Sequence, residues 1–149
     1  MTRINANIDV KLLTDKHLLA EHREIKRVPA RYQGRLAKGD FSGIPDTFKL
    51  GGGHELFFIN KGKFTFKRYI KLHQECLDRG FNVTNFMSSW NVYDDNLEHF
   101  NDWDATQTDN ELVIERISQR LGEAKSALKY KGENVTLEFA LNLLTQNDS

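Results

Sequence analysis

Cysteine occurs once in this chain of 149 residues and proline twice. A single thiol, Cys76, cannot close an intrachain disulfide, so the fold is expected to hold without one, as proteins of reducing compartments do. No apolar run approaches the roughly 20 residues needed to span a bilayer, and the polar N-terminus has no signal-peptide core. The expectation is a soluble, cytoplasmic protein with no membrane partner. Lys and Arg are absent between Gly80 and Glu115. No repeat or low-complexity tract occurs, and at this length no disulfide or metal is needed to hold the fold.

What is present is charge, sorted along the chain. The formal net charge is zero. Residues 1–80 nevertheless hold sixteen Lys and Arg against nine Asp and Glu, and residues 81–149 hold five against twelve, which makes the halves +7 and −7. A basic half of this kind suits a polyanion such as nucleic acid. The acidic block from Asp94 to Glu115 would then face away from it. A chain of this length forms one domain, 1–149, large enough to bury roughly two-thirds of its unfolded surface.

The segment Thr14–Lys38 carries the clearest pattern. At about 100° per residue, Leu18, His22, Ile25, Tyr32 and Leu36 fall on one stripe, and Lys16, Arg23, Arg27, Arg31 and Lys38 on the opposite face. Thr14 or Asp15 supplies an N-cap, Gly39 a stop, and Pro29 predicts a kink. Like charges four residues apart destabilise a helix. The row Arg23, Arg27, Arg31 therefore makes most sense opposite an anion, although a solvated surface face would carry the same residues. His17 and Glu24 flank the row, placing a carboxylate beside a phosphate-binding surface.

Further along, Phe48–Lys61 is aromatic and glycine-rich. Gly51-Gly52-Gly53 lacks the Lys-Ser/Thr of a phosphate loop, so it reads as a turn that brings Phe57 and Phe58 into the core, with His54 buried and hydrogen-bonded. The periodicity predicts a second helix over Lys63–Arg79, stopped at Gly80, with Cys76 on its apolar side. Phe81–Asp109 is a long aperiodic stretch pinned by Trp90, Tyr93, Phe100 and Trp103. A third helix is expected from Thr108 or Asp109 to Leu128, and a fourth within 134–146, capped by Asn134 and covering Val135–Leu144. The fold class is all-α: a compact single domain of three main helices, an extra C-terminal helix and long loops.

The N-terminus adds one chemical possibility. Thr2 is small enough for removal of Met1, which would leave a free α-amine of reference pKa about 7.7–8.0, able as the neutral form to attack an electrophilic carbon. It is equally compatible with an ordinary terminus.

Taken together, MTRIN, LLTDKHLLAEHREIKRVP, FKLGGGHELFFINKGKF and ECLDRGFNV resemble the endonuclease V family of T-even phages, pyrimidine-dimer DNA glycosylases with AP lyase activity. The similarity covers about residues 1–83, with nearly matched spacing. It implies a compact all-α domain whose N-terminal segment threads between helices to the active site. It also implies that the α-amine of Thr2 is the nucleophile and Glu24 the catalytic carboxylate. Arg3, Arg23 and Arg27 would contact DNA, with Arg116 and Arg120 matching basic residues of the third helix. Lys16, His17 and Arg31 join this set from the basic helix. Lys16 stands where the family has Gln, and the family's Trp-Tyr-Lys-Tyr-Tyr-Gly run is replaced by Leu128-Lys129-Tyr130-Lys131-Gly132, with one aromatic.

The implied activity is cleavage of the N-glycosidic bond of a UV pyrimidine dimer, or of another damaged or modified base, through a Schiff base of the N-terminal amine, followed by β-elimination. No metal or cofactor is implied; the expected partner is double-stranded DNA, and the expected state a monomer. Two other classes stay open: a non-catalytic DNA-binding relative, and an interaction protein acting through Asp94–Glu115.

Overall fold

The computed structural model describes residues 4–147. Its described part is mostly helical: α1 is Asp15–Glu24, α2 Arg27–Lys38, α3 His54–Phe58, α4 Gly62–Asp78, α5 Gln107–Gly122 and α6 Leu137–Leu144. A two-stranded antiparallel hairpin, β1 Leu128–Tyr130 and β2 Glu133–Val135, pairs Leu128 with Val135 and Tyr130 with Glu133. Short 3-10 turns at Val10–Leu12, Met87–Tyr93 and Leu97–His99 order the connections. No helix among the described residues is long and apolar enough to cross a membrane.

The expected Thr14–Lys38 helix is two helices, and the break is not at Pro29. The chain turns at Ile25–Lys26, where Val28 N–H donates back to Ile25 C=O at 3.1 Å. Pro29 is then the third residue of α2, inside the first turn. There an N–H has no intrahelical acceptor to lose, so proline costs little. The periodicity survives the break: Leu18, His22, Ile25 and Tyr32 are buried, and Lys16, Arg23, Arg27, Arg31 and Lys38 are exposed.

Other boundaries move for local reasons. The cap of α5 is Thr106, in a reciprocal box with Asp109, and the helix stops at Gly122 rather than Leu128. Residues 128–135 fold as the hairpin because Lys131 (φ 53°) and Gly132 (φ 83°) make the left-handed pair that a two-residue hairpin turn requires. Asn134 accordingly lies in a strand, and Thr136 caps α6, its side chain accepting from Phe139 N–H. Within the glycine-rich stretch, Gly51 and Gly53 take positive φ, and α3 follows, burying His54, Phe57 and Phe58.

The core is organised around the N-terminal segment. Ile4, Ala6 and Ile8 are completely buried, and the segment runs between helices rather than over them. Burial of an aliphatic side chain of the size of Ile contributes about 1.5–3 kcal/mol, so Ile4 and Ile8 hold the segment firmly. Below it, α4 lies against α1, the Tyr69 ring 5.3 Å from His22, and Tyr69, Leu72 and Cys76 of α4 are buried. Burial pushes the Cys76 thiol up to about 11, which leaves it protonated and inert. The aperiodic stretch is pinned by its aromatics: Trp90 Nε1–H donates to Thr65 Oγ1 at 3.0 Å, Tyr93 O–H donates to Ile59 C=O at 2.8 Å, and Tyr93 stacks on Tyr32 at 4.2 Å. Gly62 opens α4 because a Cβ there would stand 2.9 Å from the Tyr93 and Phe100 rings.

Candidate active site

Glu24 is the last residue of α1, at the negative end of the helix dipole, where a carboxylate is disfavoured. The neighbouring cations offset this. The Arg27 guanidinium lies 3.8 Å from Glu24 Oε1, an ion pair too long to be a hydrogen bond. The Glu24 side chain is 17% exposed, against 52% for Arg27. The carboxylate is thus recessed while the arginine stands out above it.

Glu24 faces a cavity of about 700 Å³ between α1, the N-terminal segment, the last turns of α5 and the link into β1. Asn5, Lys16, His17 and Glu21 line it on the α1 side; Arg120, Lys125, Ser126 and Leu128 line it on the other. Lys16, Arg120 and Lys125 are exposed, and His17 is half-buried. The result is a recess with Glu21 and Glu24 within its wall and, at its mouth, the three cations beside one exposed acid, Glu123. Such a recess can hold a neutral or cationic group inside while phosphates rest on the rim.

The floor of the recess is built by a buried polar network that periodicity does not reveal. Glu21, one turn before Glu24, accepts from Arg68 of α4 in bidentate fashion, Nε–H at 2.8 Å and Nη2–H at 3.0 Å. Both side chains are below 5% exposure. The same carboxylate accepts from Asn5, Nδ2–H at 2.7 Å and backbone N–H at 3.2 Å, and Arg68 Nη1–H donates to Ile8 C=O. A second pin comes from α3: His54 Nε2 accepts the Ile4 N–H at 2.8 Å, so Nδ1 carries the proton and donates to Lys49 C=O at 2.9 Å. Each of the first two described residues is therefore tied to a helix by its backbone. The sequence signal for Glu21 and Arg68 is that each charge lies on an otherwise apolar helical stripe, which requires a buried partner.

Of the residues singled out from the sequence, Lys16, His17, Glu24 and Arg120 border this one recess. Arg23 is exposed on the outer face of α1. Arg31, on α2, does not border the recess and pairs with Glu55 of α3 at 3.4 Å, so an acid from another helix lies beside the basic row. Arg116, half-buried on α5, precedes Arg120 by one turn without bordering the recess. Thr2 and Arg3 lie outside the described residues.

Away from the recess, His22 on α1 meets His73 on α4, Nε2 to Nδ1 at 3.0 Å, packed against Tyr69 and Phe86. Burial, then His73 and Lys26, bring the His22 pKa down to about 4. It is a neutral core residue at physiological pH.

A family model described as pyrimidine dimer DNA glycosylase matches residues 1–89, more than half of the chain. The matched part contains α1 to α4 and therefore Glu24, the basic helix faces and both pins on the N-terminal segment. Arg116, Arg120 and the far wall of the recess lie beyond it. The geometry and the match coincide on the first half of the chain, where the carboxylate, its arginines and the threaded segment all reside, and the chain belongs to the pyrimidine dimer DNA glycosylase family.

Proposed function

We propose that the protein is a DNA glycosylase with AP lyase activity in which the α-amine of Thr2, freed by removal of Met1, is the nucleophile and Glu24 the catalytic carboxylate. The observation that carries this reading is the recessed Glu24 in a cation-rimmed cavity whose wall includes Asn5, three residues from Thr2. Binding alone gives no reason to keep a carboxylate at the foot of a phosphate-facing surface.

The neutral amine attacks C1′ of the damaged nucleotide. The N-glycosidic bond breaks with its electron pair leaving on the base, which takes up a proton. Loss of a proton from nitrogen and opening of the sugar give an iminium, which acidifies the C2′ proton. Removal of that proton drives β-elimination, the bond to the 3′ phosphate breaks, and hydrolysis of the imine frees the amine. Glu24 stabilises the cationic sugar and carries protons between these steps. Covalent catalysis divides one difficult step into easier ones. Arg3, Arg23 and Arg27 hold phosphates, with Lys16, His17, Arg31, Arg116 and Arg120 extending the contact surface, an interaction that supplies register and affinity but little sequence selection.

Glu24→Gln tests the role of the carboxylate. The variant is expected to lose strand cleavage on damaged duplex while its duplex affinity changes little; full cleavage would remove Glu24 from the mechanism. A second substrate reading, a damaged base other than the dimer, is favoured by the composition of the far wall. Residues 117–128, beyond the family match, supply it, and among the described residues lining the recess there is no Phe, Tyr or Trp. Assaying duplexes that carry a thymine dimer alongside duplexes with oxidised or alkylated bases separates the two.

A further inference from the structure

The hydrogen bonds that tie down the start of the chain are unusual in where they fall. Ile4 and Asn5 together direct two backbone N–H groups and one side-chain amide into buried acceptors, on α3 and on α1. The acceptors are themselves fixed: His54 by Lys49 C=O, and Glu21 by the Arg68 guanidinium. Glu21 and Glu24 stand one helical turn apart on α1 and line the same recess. Thus the anchor of the segment and the carboxylate share one rigid element. From Ile4 N back to the nitrogen of residue 2 the chain spans at most about 7 Å, so pins at Ile4 and Asn5 bound the space open to that amine.

We propose that His54 and the Asn5–Glu21 pair are positioning residues, holding the N-terminal segment so that the Thr2 amine stands in register with Glu24. This rests on the Schiff-base reading above. None of the three need touch substrate for the role. Their part is to set the distance between nucleophile and carboxylate, where a misplacement of about 1 Å can cost on the order of 100-fold in rate. His54 is placed for this by the Gly51–Gly53 turn, which starts α3 directly beneath Ile4. The Phe48 and Phe58 rings, 5.6 Å and 5.4 Å away, keep the imidazole in place.

The test uses full-length protein whose intact mass shows Met1 removed, with His54→Phe, which keeps a ring among Phe48 and Phe58 but accepts no hydrogen bond, His54→Gln, which restores an acceptor, and Asn5→Ala. Two quantities are read. One is the rate of borohydride trapping on an abasic duplex, with duplex affinity measured separately. The other, independent of any reaction, is the titration midpoint of the N-terminal amine, followed by NMR after ¹³C reductive methylation. The proposal expects His54→Phe and Asn5→Ala to trap roughly 10- to 100-fold more slowly at unchanged affinity. Their amine midpoint should differ from that of the wild type, and His54→Gln should recover much of both.

Wild-type trapping and an unmoved midpoint in folded His54→Phe would overturn it. Should His54→Phe not fold, Asn5→Ala decides on the same two readouts. If the wild type fails to trap while the midpoint still moves in the variants, the Schiff-base reading falls and the positioning of the amine stands. If neither responds, both fall.

Discussion

Replacing Arg68 by methionine perturbs the buried polar cluster that joins α4 to α1 and to the N-terminal segment. Arg68 gives two hydrogen bonds to Glu21 and one to Ile8 C=O, and both partners of the ion pair are almost fully buried, at 4% and 1% exposure. Met fills similar space but leaves the Glu21 carboxylate buried with only Asn5 donating to it. Removing one partner of a buried pair costs about 3–5 kcal/mol. For a chain of this size that lowers Tm by roughly 6–20 °C, taking about 2–4 °C per kcal/mol. Replacing the pair together, Glu21→Leu with Arg68→Met, removes the stranded charge. In many proteins such an exchange is nearly neutral. Here it should not be, because Asn5 N–H, Asn5 Nδ2–H and Ile8 C=O all lose their partners, at about 1–3 kcal/mol for each group left unsatisfied. Urea unfolding followed by circular dichroism measures both variants, with a constant m-value as the check that the transition is unchanged in kind. A loss below about 1 kcal/mol in Arg68→Met would refute the reasoning, because a buried charge stripped of its partner cannot be that cheap.

Stability should also fall with acid through His22. Its pKa of about 4 in the fold lies below the unfolded value of 6.5, so both states are neutral above pH 6.5 and its contribution is intact there. Between pH 6.5 and 4 the unfolded chain binds a proton that the fold does not, and up to about 3 kcal/mol is lost. Urea titrations at pH 7 and pH 4.5 should show the drop, and His22→Phe should lessen it; an equal drop in that variant would place the effect elsewhere. At the surface, Arg27→Ala should weaken duplex binding at all sequences and reduce the salt slope by about one. An unchanged slope would mean that this face of α2 does not meet phosphate.

The helices that carry the site were legible because their stripes are long. Leu18 through Tyr32, and Phe64 through Cys76, repeat an apolar face often enough that a shifted boundary leaves the pattern intact. The point of breakage was not legible. Proline signals a helix end when it falls in the interior, and Pro29 falls in a first turn, where its missing N–H removes nothing. The hairpin was hidden for another reason: strands of three residues offer too little alternation to read, and one of its two left-handed turn positions is Lys131 rather than glycine. The basic face and Glu24 were visible as spacing along a helix. The recess in front of them was not, since its far wall comes from residues about a hundred positions away, and the Glu21–Arg68 pair joins two helices whose contact the sequence leaves unstated.

The most direct test of the account is borohydride trapping by the purified protein, its Met1 shown by mass to be removed, on duplexes carrying a thymine dimer, an abasic site or no lesion, followed by peptide mapping. The account predicts a covalent adduct on Thr2 with damaged duplex and none with intact DNA. An adduct on the abasic duplex alone keeps the lyase chemistry and turns the search to other bases, and absence of an adduct on every duplex would contradict the account.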